Sequence, residues 1–160
     1  MSFDGRDFRN ALGRFATGVC VITSAPEGQK PFGMTVNSFA SVSLDPALVL
    51  WSLQNDSECF ALFEGADKFA VNILADDQLA ISNQFAKRGE HDLPEGSYRI
   101  GKTGNPVLKG VLTTFECKIW ERYPGGDHTI LVGEVLEMEN RPNSNGKPLC
   151  FYGGGYAEIR

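Results

Sequence analysis

The sequence has few of the residues that bind metal ions. Its only histidines are His91 and His128, and its four cysteines lie about 30 to 60 residues apart. Structural zinc sites use closely spaced Cys and His ligands, so we expect no metal site. The cysteines stand among apolar neighbours, which predicts buried free thiols, although their spacing leaves a Cys–His nucleophilic pair open. The cysteines are Cys20, Cys59, Cys117 and Cys150.

Basic clusters and long hydrophobic runs are also missing. The chain has 15 basic and 20 acidic residues, a net charge of −5. Proteins that bind nucleic acids or membrane surfaces rely on basic patches, so we expect neither partner. No apolar run approaches the roughly 20 residues that span a bilayer. The first residues lack the basic and apolar regions of a signal peptide, and we therefore expect a cytoplasmic protein.

Two common nucleotide-binding motifs are not found. The sequence contains no P-loop lysine motif, and too few residues follow the glycines at 153–155 to form the helix of a dinucleotide fingerprint. Any nucleotide would therefore bind in neither the P-loop nor the Rossmann manner.

The composition favours a β-rich domain. A chain of 160 residues with 42% hydrophobic content can bury a core, and we expect a single domain over residues 1–160. Its 18 glycines and 11 phenylalanines, together with many Val, Thr and Ile residues, are typical of a turn-rich β protein.

Periodicity predicts short helices between strands. Phe8, Leu12 and Phe15 repeat at helical spacing and predict an amphipathic helix over about residues 4–16. Shorter helices are predicted over 58–63 and from 76 to about 87. Strands are predicted over 19–24, 32–43, 47–53, 68–74, 112–122, 129–140 and 148–152. The almost continuously apolar 47–53 predicts a strand buried on both faces. We expect a mainly β fold, an antiparallel barrel with helices at its rim, with an irregular loop at 88–106 and a polar turn at 143–147.

Two segments combine small polar side chains with glycine or a turn. Residues 33–43 alternate hydroxyl and amide groups with apolar ones, which suits a flat ligand, or else forms a solvated strand face. In the segment 54–57, Ser57 is predicted to be a helix N-cap. A phosphate could bind at that helix N-terminus, or the serine could only cap the helix.

Two further segments place charge beside an aromatic residue or a hairpin. Lys87 and Arg88 follow Phe85, and they could pair with a phosphate or form a solvated helix end. His128 lies in a predicted hairpin turn next to Asp127. The aspartate could orient the imidazole toward a ligand, or the histidine could simply be an exposed turn residue.

Taken together, these segments resemble the flavin reductase family over nearly the whole chain. The resemblance rests on residues 15–19, 33–39, 41–46, 72–74, 105–108, 126–129 and 132–135, in that order. It implies a split β-barrel of the Greek-key FMN-binding type that forms a homodimer. It also implies reduction of FMN or FAD by NADH or NADPH, with the reduced flavin passing to a partner monooxygenase.

The resemblance also implies a set of site residues. The isoalloxazine and ribityl groups would face Thr35, Val36, Asn37, Ser38, Ser41 and Val42. The ribityl chain and phosphate would be held by Gln54, Asn55 and Ser57, with Phe85, Ala86 and Lys87 closing that end. The nicotinamide nucleotide would be received by His128, Tyr152 and Gly154. Gly153 and Gly155 replace the basic residues that the family often has there, which leaves the preference between NADH and NADPH open.

The implied reaction requires little chemistry from the protein's own side chains. A hydride passes from the nicotinamide to the flavin, so the cofactor performs the reaction. We therefore expect His128 to position the nicotinamide, the one catalytic role that the sequence suggests. Two alternatives remain: a non-enzymatic flavin-binding or carrier protein of the same fold, and a barrel for a small apolar ligand.

Overall fold

The computed structural model describes residues 2–142 and 146–160. Within them the fold is mainly β, as predicted, with short helices. The helices are α1 (Gly5–Leu12), α2 (Phe60–Glu64) and α3 (Leu79–Ala86), the last preceded by a 3₁₀ turn, Asp76–Gln78. The strands are β1 (Thr17–Gly18), β2 (Cys20–Ser24), β3 (Phe32–Val36), β4 (Ala40–Leu44), β5 (Ala47–Gln54), β6 (Lys68–Ile73), β7 (Tyr98–Ile100), β8 (Pro106–Leu108), β9 (Thr113–Gly125), β10 (His128–Asn140), β11 (Cys150–Tyr152) and β12 (Gly155–Ala157).

A seven-stranded antiparallel sheet forms most of the molecule, in the order β3-β2-β6-β9-β10-β5-β4. Its two outermost strands, β3 and β4, are consecutive in the chain. Two smaller sheets accompany it, β1-β11-β12 and β7-β8. None of the helices in the part of the chain described is long and apolar enough to cross a membrane.

The single strand predicted over 32–43 is wrong, because the chain leaves one edge of the sheet at residue 37 and joins the opposite edge at residue 40. Ser38 stabilises this crossing. Its Oγ accepts a hydrogen bond from the Ser52 amide at 3.0 Å and donates one to the Ser52 carbonyl at 3.2 Å. A side chain thus replaces the backbone partners that a continuous strand would have.

The main core lies on the concave side of the large sheet. Trp51 is fully buried, and its ring packs edge-on against Phe63 and Phe69, with centroids 4.8 and 5.9 Å away. Phe32 contacts Phe63 from the opposite edge of the sheet, at 4.8 Å. Side chains from β3 and β5 therefore share one core, which requires the sheet to wrap around it.

The strand buried on both faces is β2, so the prediction of a two-sided burial for 47–53 is wrong. All five residues of β2 are buried, because α3 and β8 cover the face that points away from the main core. In β5 burial alternates. Val49, Trp51 and Leu53 point inward, whereas Leu48 and Leu50 stay half-exposed.

The first helix exists but is shorter than predicted and buries none of its residues. Asp4 caps it, accepting a hydrogen bond from the Arg6 amide at 2.6 Å. Phe8, Leu12 and Phe15 remain 49%, 59% and 80% exposed. The periodicity correctly indicated an apolar side. Among the described residues Phe3 packs against Phe8, with ring centroids 5.3 Å apart, and the apolar side stays largely exposed.

Three further differences concern the C-terminal half. The predicted irregular loop at 88–106 contains β7 and the start of β8, and β12 was not predicted. The last strand predicted, over 148–152, is shorter and comprises β11. The polar turn predicted at 143–147 falls mostly outside the described residues.

Candidate functional site

Two neighbouring clefts meet at Thr35 and Ala86. The first has a volume of about 410 Å³ and a mixed, largely polar lining. The second, of about 210 Å³, is largely apolar. The first is lined by Met34, Thr35, Gln54, Asp56, Ser57, Glu58, Phe85, Ala86, Arg88 and His91. The second is lined by Val19, Thr35, Val36, Asn37, Ser82, Ala86, Phe151 and Tyr156.

Edge strand β3 provides the floor that the two clefts share. Thr35 points toward α3, where its hydroxyl donates to the Ser82 carbonyl at 2.7 Å. This bond fixes the distance between β3 and α3, the two elements whose residues separate the clefts. Another cleft of about 300 Å³ lies beside Arg99 and Arg141, but those cations already pair with Glu139 and the Gly110 carbonyl.

The polar cleft is bounded by the segment that precedes α2. Ser57 Oγ accepts a hydrogen bond from the Cys59 amide at 3.2 Å and lies 3.5 Å from Met34 Sδ. Because α2 begins at Phe60, the prediction that Ser57 is the N-cap is wrong. The serine instead stabilises a turn before the helix, with its hydroxyl at the cleft wall.

The apolar cleft has an aromatic wall held by hydrogen bonds. Tyr156 OH lies 2.7 Å from Ser82 Oγ and donates to Asn83 Oδ1 at 3.1 Å. Its ring packs edge-on against Phe151 with centroids 5.6 Å apart. The rings of Phe151 in β11 and Tyr156 in β12 are thereby fixed against α3. Together with Val36 they line a space that suits a flat ring.

His128 lies at the start of β10, directly opposite Gln54 of β5, so the two side chains share a face of the sheet. Its Nδ1 is 2.6 Å from Asp127 Oδ1. The hydrogen bond from His128 holds the pKa of the Asp127 carboxyl below its usual range. The imidazole is therefore oriented by a carboxylate through Nδ1, which leaves Nε2 for a ligand.

Asn55 fixes the hairpin against the polar cleft. The backbone N–H of Asn55 donates to the Asp127 carbonyl at 2.9 Å. The side-chain Oδ1 of Asn55 accepts a hydrogen bond from Thr129 Oγ1 at 2.8 Å. The segment around Gln54 and the turn that holds His128 thus form one unit.

The structure brings seven of the fifteen predicted site residues into the lining of the two clefts and leaves eight outside it. Those that line the clefts are Thr35, Val36, Asn37, Gln54, Ser57, Phe85 and Ala86, although Phe85 is 1% exposed and offers little surface. Those outside the lining are Ser38, Ser41, Val42, Asn55, Lys87, His128, Tyr152 and Gly154; of these, Asn55 and His128 lie next to or opposite Gln54, which lines the polar cleft. Ser41 and Val42 are exposed on β4, Lys87 is exposed after α3, and Gly154 has φ +80° in the turn between β11 and β12.

Sequence reasoning missed several lining residues. They are Glu58, His91, Ser82, Phe151 and Tyr156. His91 could have been suspected because the chain has only two histidines. Ser82 and Tyr156 are 74 positions apart, and no local pattern indicates their contact.

Three of the four cysteines are unsuited to nucleophilic chemistry. Burial raises the pKa of Cys20 and Cys117 to about 12 and that of Cys59 to about 11. Such thiols stay protonated near neutral pH, and the thiolate is the reactive form. All four cysteines are free and three are buried, as predicted, whereas Cys150 is half-exposed. Among the described residues no group of three or more His, Cys, Asp and Glu side chains could hold a metal ion.

The chemistry of the joined clefts fits a flavin. An apolar space with aromatic walls can accept a planar ring system, and the adjacent polar space offers amide, hydroxyl and cationic groups for a polar tail. The larger cleft falls within the usual volume range of small-molecule sites. Fold and site together define a small β-rich protein for a flat ligand with a polar tail.

Comparison with known proteins identifies the family. The profile of the flavin reductase like domain matches residues 12–160. The chain belongs to the flavin reductase family, which confirms the resemblance and the oxidoreductase class. It is 48% identical over 157 residues to FMN reductase (NADH) SmoA of Agrobacterium fabrum, covering 98% of this chain and 87% of that protein.

Solved structures agree with this assignment. The native flavin reductase PheA2 is 38% identical, with a TM-score of 0.89 and 99% of each chain covered. The NADH:FAD oxidoreductase SgcE6 of Streptomyces globisporus, solved with NAD and FAD fragments, is 34% identical with a TM-score of 0.90. The alignment covers 100% of this chain and 97% of the SgcE6 chain.

Proposed function

We propose that the protein uses NADH to reduce FMN or FAD and releases the reduced flavin to a partner monooxygenase. The observation that supports this most is the pair of joined clefts beside an Asp–His pair. Relatives named as reductase components of monooxygenases support the partner, among them the trigonelline monooxygenase reductase of Acinetobacter baylyi, 40% identical over 94% of this chain.

Flavin, when bound, accepts the hydride of the nicotinamide. The chain supplies the positions of the two reactants. Thr35, Val36 and the Tyr156 ring would hold the ring system, while Gln54 and Ser57 would bind the polar tail. Holding two reactants at near-attack distance is a large source of rate acceleration. His128, fixed by Asp127, would place the nicotinamide through Nε2 and would neither gain nor lose a proton in the hydride step.

NADH is the proposed donor. The turn of Gly153 and Gly154 between β11 and β12 contains no basic side chain that could pair with the 2′-phosphate of NADPH. An arginine is the usual partner of that phosphate in other nucleotide sites. The relative named FMN reductase (NADH) supports the same choice.

The proposed assembly is a homodimer of a split β-barrel with Greek-key connections. The outer face of β5 and β10 supports it. Leu50 lies opposite Val132, and Ile130 lies opposite Ser52 and Tyr123, all on the face that points away from the core. We call Leu48, Leu50, Tyr123 and Ile130 the outer patch. Tyr123 is exposed and the other three are half-buried, whereas Val132 on the same face is buried. Partly exposed apolar surface of this kind suits an interaction site, and a second copy would cover it.

A cytoplasmic location completes the proposal. Free thiols such as those of Cys20 and Cys59 persist in reducing compartments.

Anaerobic stopped-flow reduction tests the function. The protein is mixed with FMN or FAD and with NADH or NADPH, and the flavin absorbance near 450 nm is followed. We expect rapid bleaching with NADH and slow or no bleaching with NADPH. Flavin binding without NADH oxidation would show a carrier instead, and no flavin binding would contradict the proposal entirely.

A further inference from the structure

The carboxylate of Glu58 joins segments that line opposite sides of the polar cleft. Its Oε1 accepts hydrogen bonds from the Gly89 amide and from His91 Nε2, the latter at 2.6 Å. Its Oε2 lies 3.7 Å from Arg88 Nε. Glu58 belongs to the segment before α2, whereas the other three follow α3, so one side chain spans the cleft wall.

His91 continues this connection to β3. Its Nδ1 lies 2.9 Å from the Gly33 carbonyl, and the Gly33 amide donates to the His91 carbonyl at 2.8 Å. Both ring nitrogens thus face acceptors, an arrangement that only the charged imidazolium satisfies completely. The side chain is 15% exposed. We call Glu58 and His91 the clasp.

The clasp also determines the charge of the cleft. Asp56 and Glu58 both line it, and two free carboxylates would repel a phosphate. The Gly89 N–H, followed by His91 and Arg88, holds the pKa of Glu58 below its usual range. The carboxylate therefore remains ionised but is compensated by donors on three neighbouring groups, and the loop at 88–91 is fixed by the same bonds.

We propose that Glu58 and His91 are positioning residues for flavin binding, which rests on the proposed function. The clasp fixes the loop after α3 in the lining of the cleft that also contains Ser57, where the phosphate end of a flavin would bind. It acts on the binding step, and it leaves hydride transfer within the bound complex unchanged.

The test measures flavin dissociation constants by fluorescence quenching for wild type, Glu58→Gln, His91→Gln and the double variant. We expect each single variant to bind FMN about 10-fold more weakly, since loss of a charge-assisted hydrogen bond costs roughly 1.5 kcal/mol or more. The double variant should be little weaker than either single one, because both remove the same contact. The reduction rate at saturating flavin should stay at the wild-type value.

Hydrogen exchange on the flavin-free proteins provides a second readout. We expect faster exchange in peptides covering 87–93 for Glu58→Gln and no change elsewhere. Glu139→Gln serves as the matched control, because it breaks an exposed ion pair with Arg99 at another cleft. The control should leave both readouts unchanged.

The experiment distinguishes failure of the proposed function from failure of the clasp inference alone. If wild type binds no flavin, the proposed function fails and the clasp inference with it. If wild type binds flavin and both single variants bind within 2-fold of it with unchanged exchange at 87–93, the clasp inference alone is overturned.

Discussion

At the residue scale, the Asp127–His128 pair shows how a single hydrogen bond prepares a side chain for positioning. Asp127 stays ionised below its ordinary pKa because His128 donates to it. The aspartate therefore keeps its charge at every pH where an assay would be run. Its titration cannot produce a pH dependence of the reduction rate above pH 5.

Replacing His128 should separate flavin binding from hydride transfer. We expect His128→Ala to keep the flavin dissociation constant within 2-fold and to lower the anaerobic reduction rate roughly 100-fold, because a misplacement of about 1 Å has that effect. His128→Asn should retain more activity, since its amide has a partly similar reach. Stopped-flow rates and flavin titrations on the same samples measure both quantities. Wild-type rates in both variants would place His128 outside the site.

Ser57→Ala should affect flavin binding more than stability. The hydroxyl supports the turn before α2 through Cys59, and loss of such a bond costs about 1 kcal/mol of unfolding free energy. A bond to a charged phosphate is worth about 1.5–3 kcal/mol, so the dissociation constant should rise by at least 10-fold. Urea unfolding and flavin titration measure the two effects. An unchanged flavin dissociation constant would show that Ser57 only stabilises the turn before α2 and does not bind flavin.

Site residues could be predicted where they belong to one local segment, and not where they meet through contacts between distant parts of the sequence. Thr35, Asn37 and Ser57 belong to local polar segments and could be selected from the chain. Ser82 enters the site only through contacts with Thr35 and Tyr156, which are 47 and 74 positions away. Such contacts depend on the sheet order, and no local pattern in the sequence encodes that order.

At the element scale, β10 shows how a glycine permits close packing between strands and core. A Cβ on Gly133 would lie 2.4 Å from Phe69 Cζ and 2.9 Å from Cys117 Cβ. Phe69 itself is fully buried between Trp51 and β10. The aromatic core can therefore approach this strand only where a side chain is missing.

Gly133→Ala should destabilise the protein by about 1–3 kcal/mol, the usual effect of overpacking a core. Chemical denaturation without flavin measures the change as a lower midpoint. Gly18→Ala is the matched control, because no atom lies within 4 Å of a Cβ there and its φ is not positive. It should change the stability by less than about 0.5 kcal/mol. Equal effects of the two substitutions would contradict the packing argument.

Elements with strong local signals were the ones predicted well. The segment 68–74 and the helix near 76–87 have clear patterns and defined ends, and the structure has β6 and α3 there. The break at residues 37–39 was missed, because the serine that replaces the backbone partners is an ordinary strand-compatible residue. The short strands β7 and β8 lie among glycines and prolines, which locally favour turns, and they form through pairing with each other.

At the scale of the whole molecule, two groups of apolar side chains stay partly exposed within the part of the chain that the structure describes. One is the apolar side of α1 and the other is the outer patch. Both contain apolar residues whose sequence pattern predicts that they pack against other parts of the protein. The prediction for β5 was wrong because its outer face, with Leu48 and Leu50, stays half-exposed in the chain; in the proposed homodimer a second copy would cover that face.

Leu50→Lys should shift the protein from dimer to monomer. The substitution places a charge in the centre of the outer patch, while Leu50 points away from the core and its loss should not unfold the chain. Sedimentation velocity at micromolar concentration measures the change, with circular dichroism as the check on folding. Ile100→Lys, at a residue 58% exposed on β7, is the control and should leave the mass unchanged. A monomeric wild type with flavin present would rule out the proposed dimer.

The positions of the two tryptophans give the protein an internal spectroscopic standard. Trp51 has 0% exposure, and Trp120 is 49% exposed on β9. Trp51 should emit at short wavelength and be protected from iodide quenching, whereas Trp120 should emit at longer wavelength and be quenched. A single emission spectrum therefore contains one component that changes only on unfolding and another that reports on the surface of β9. Denaturation and changes at the surface of β9 can thus be followed separately in unlabelled protein.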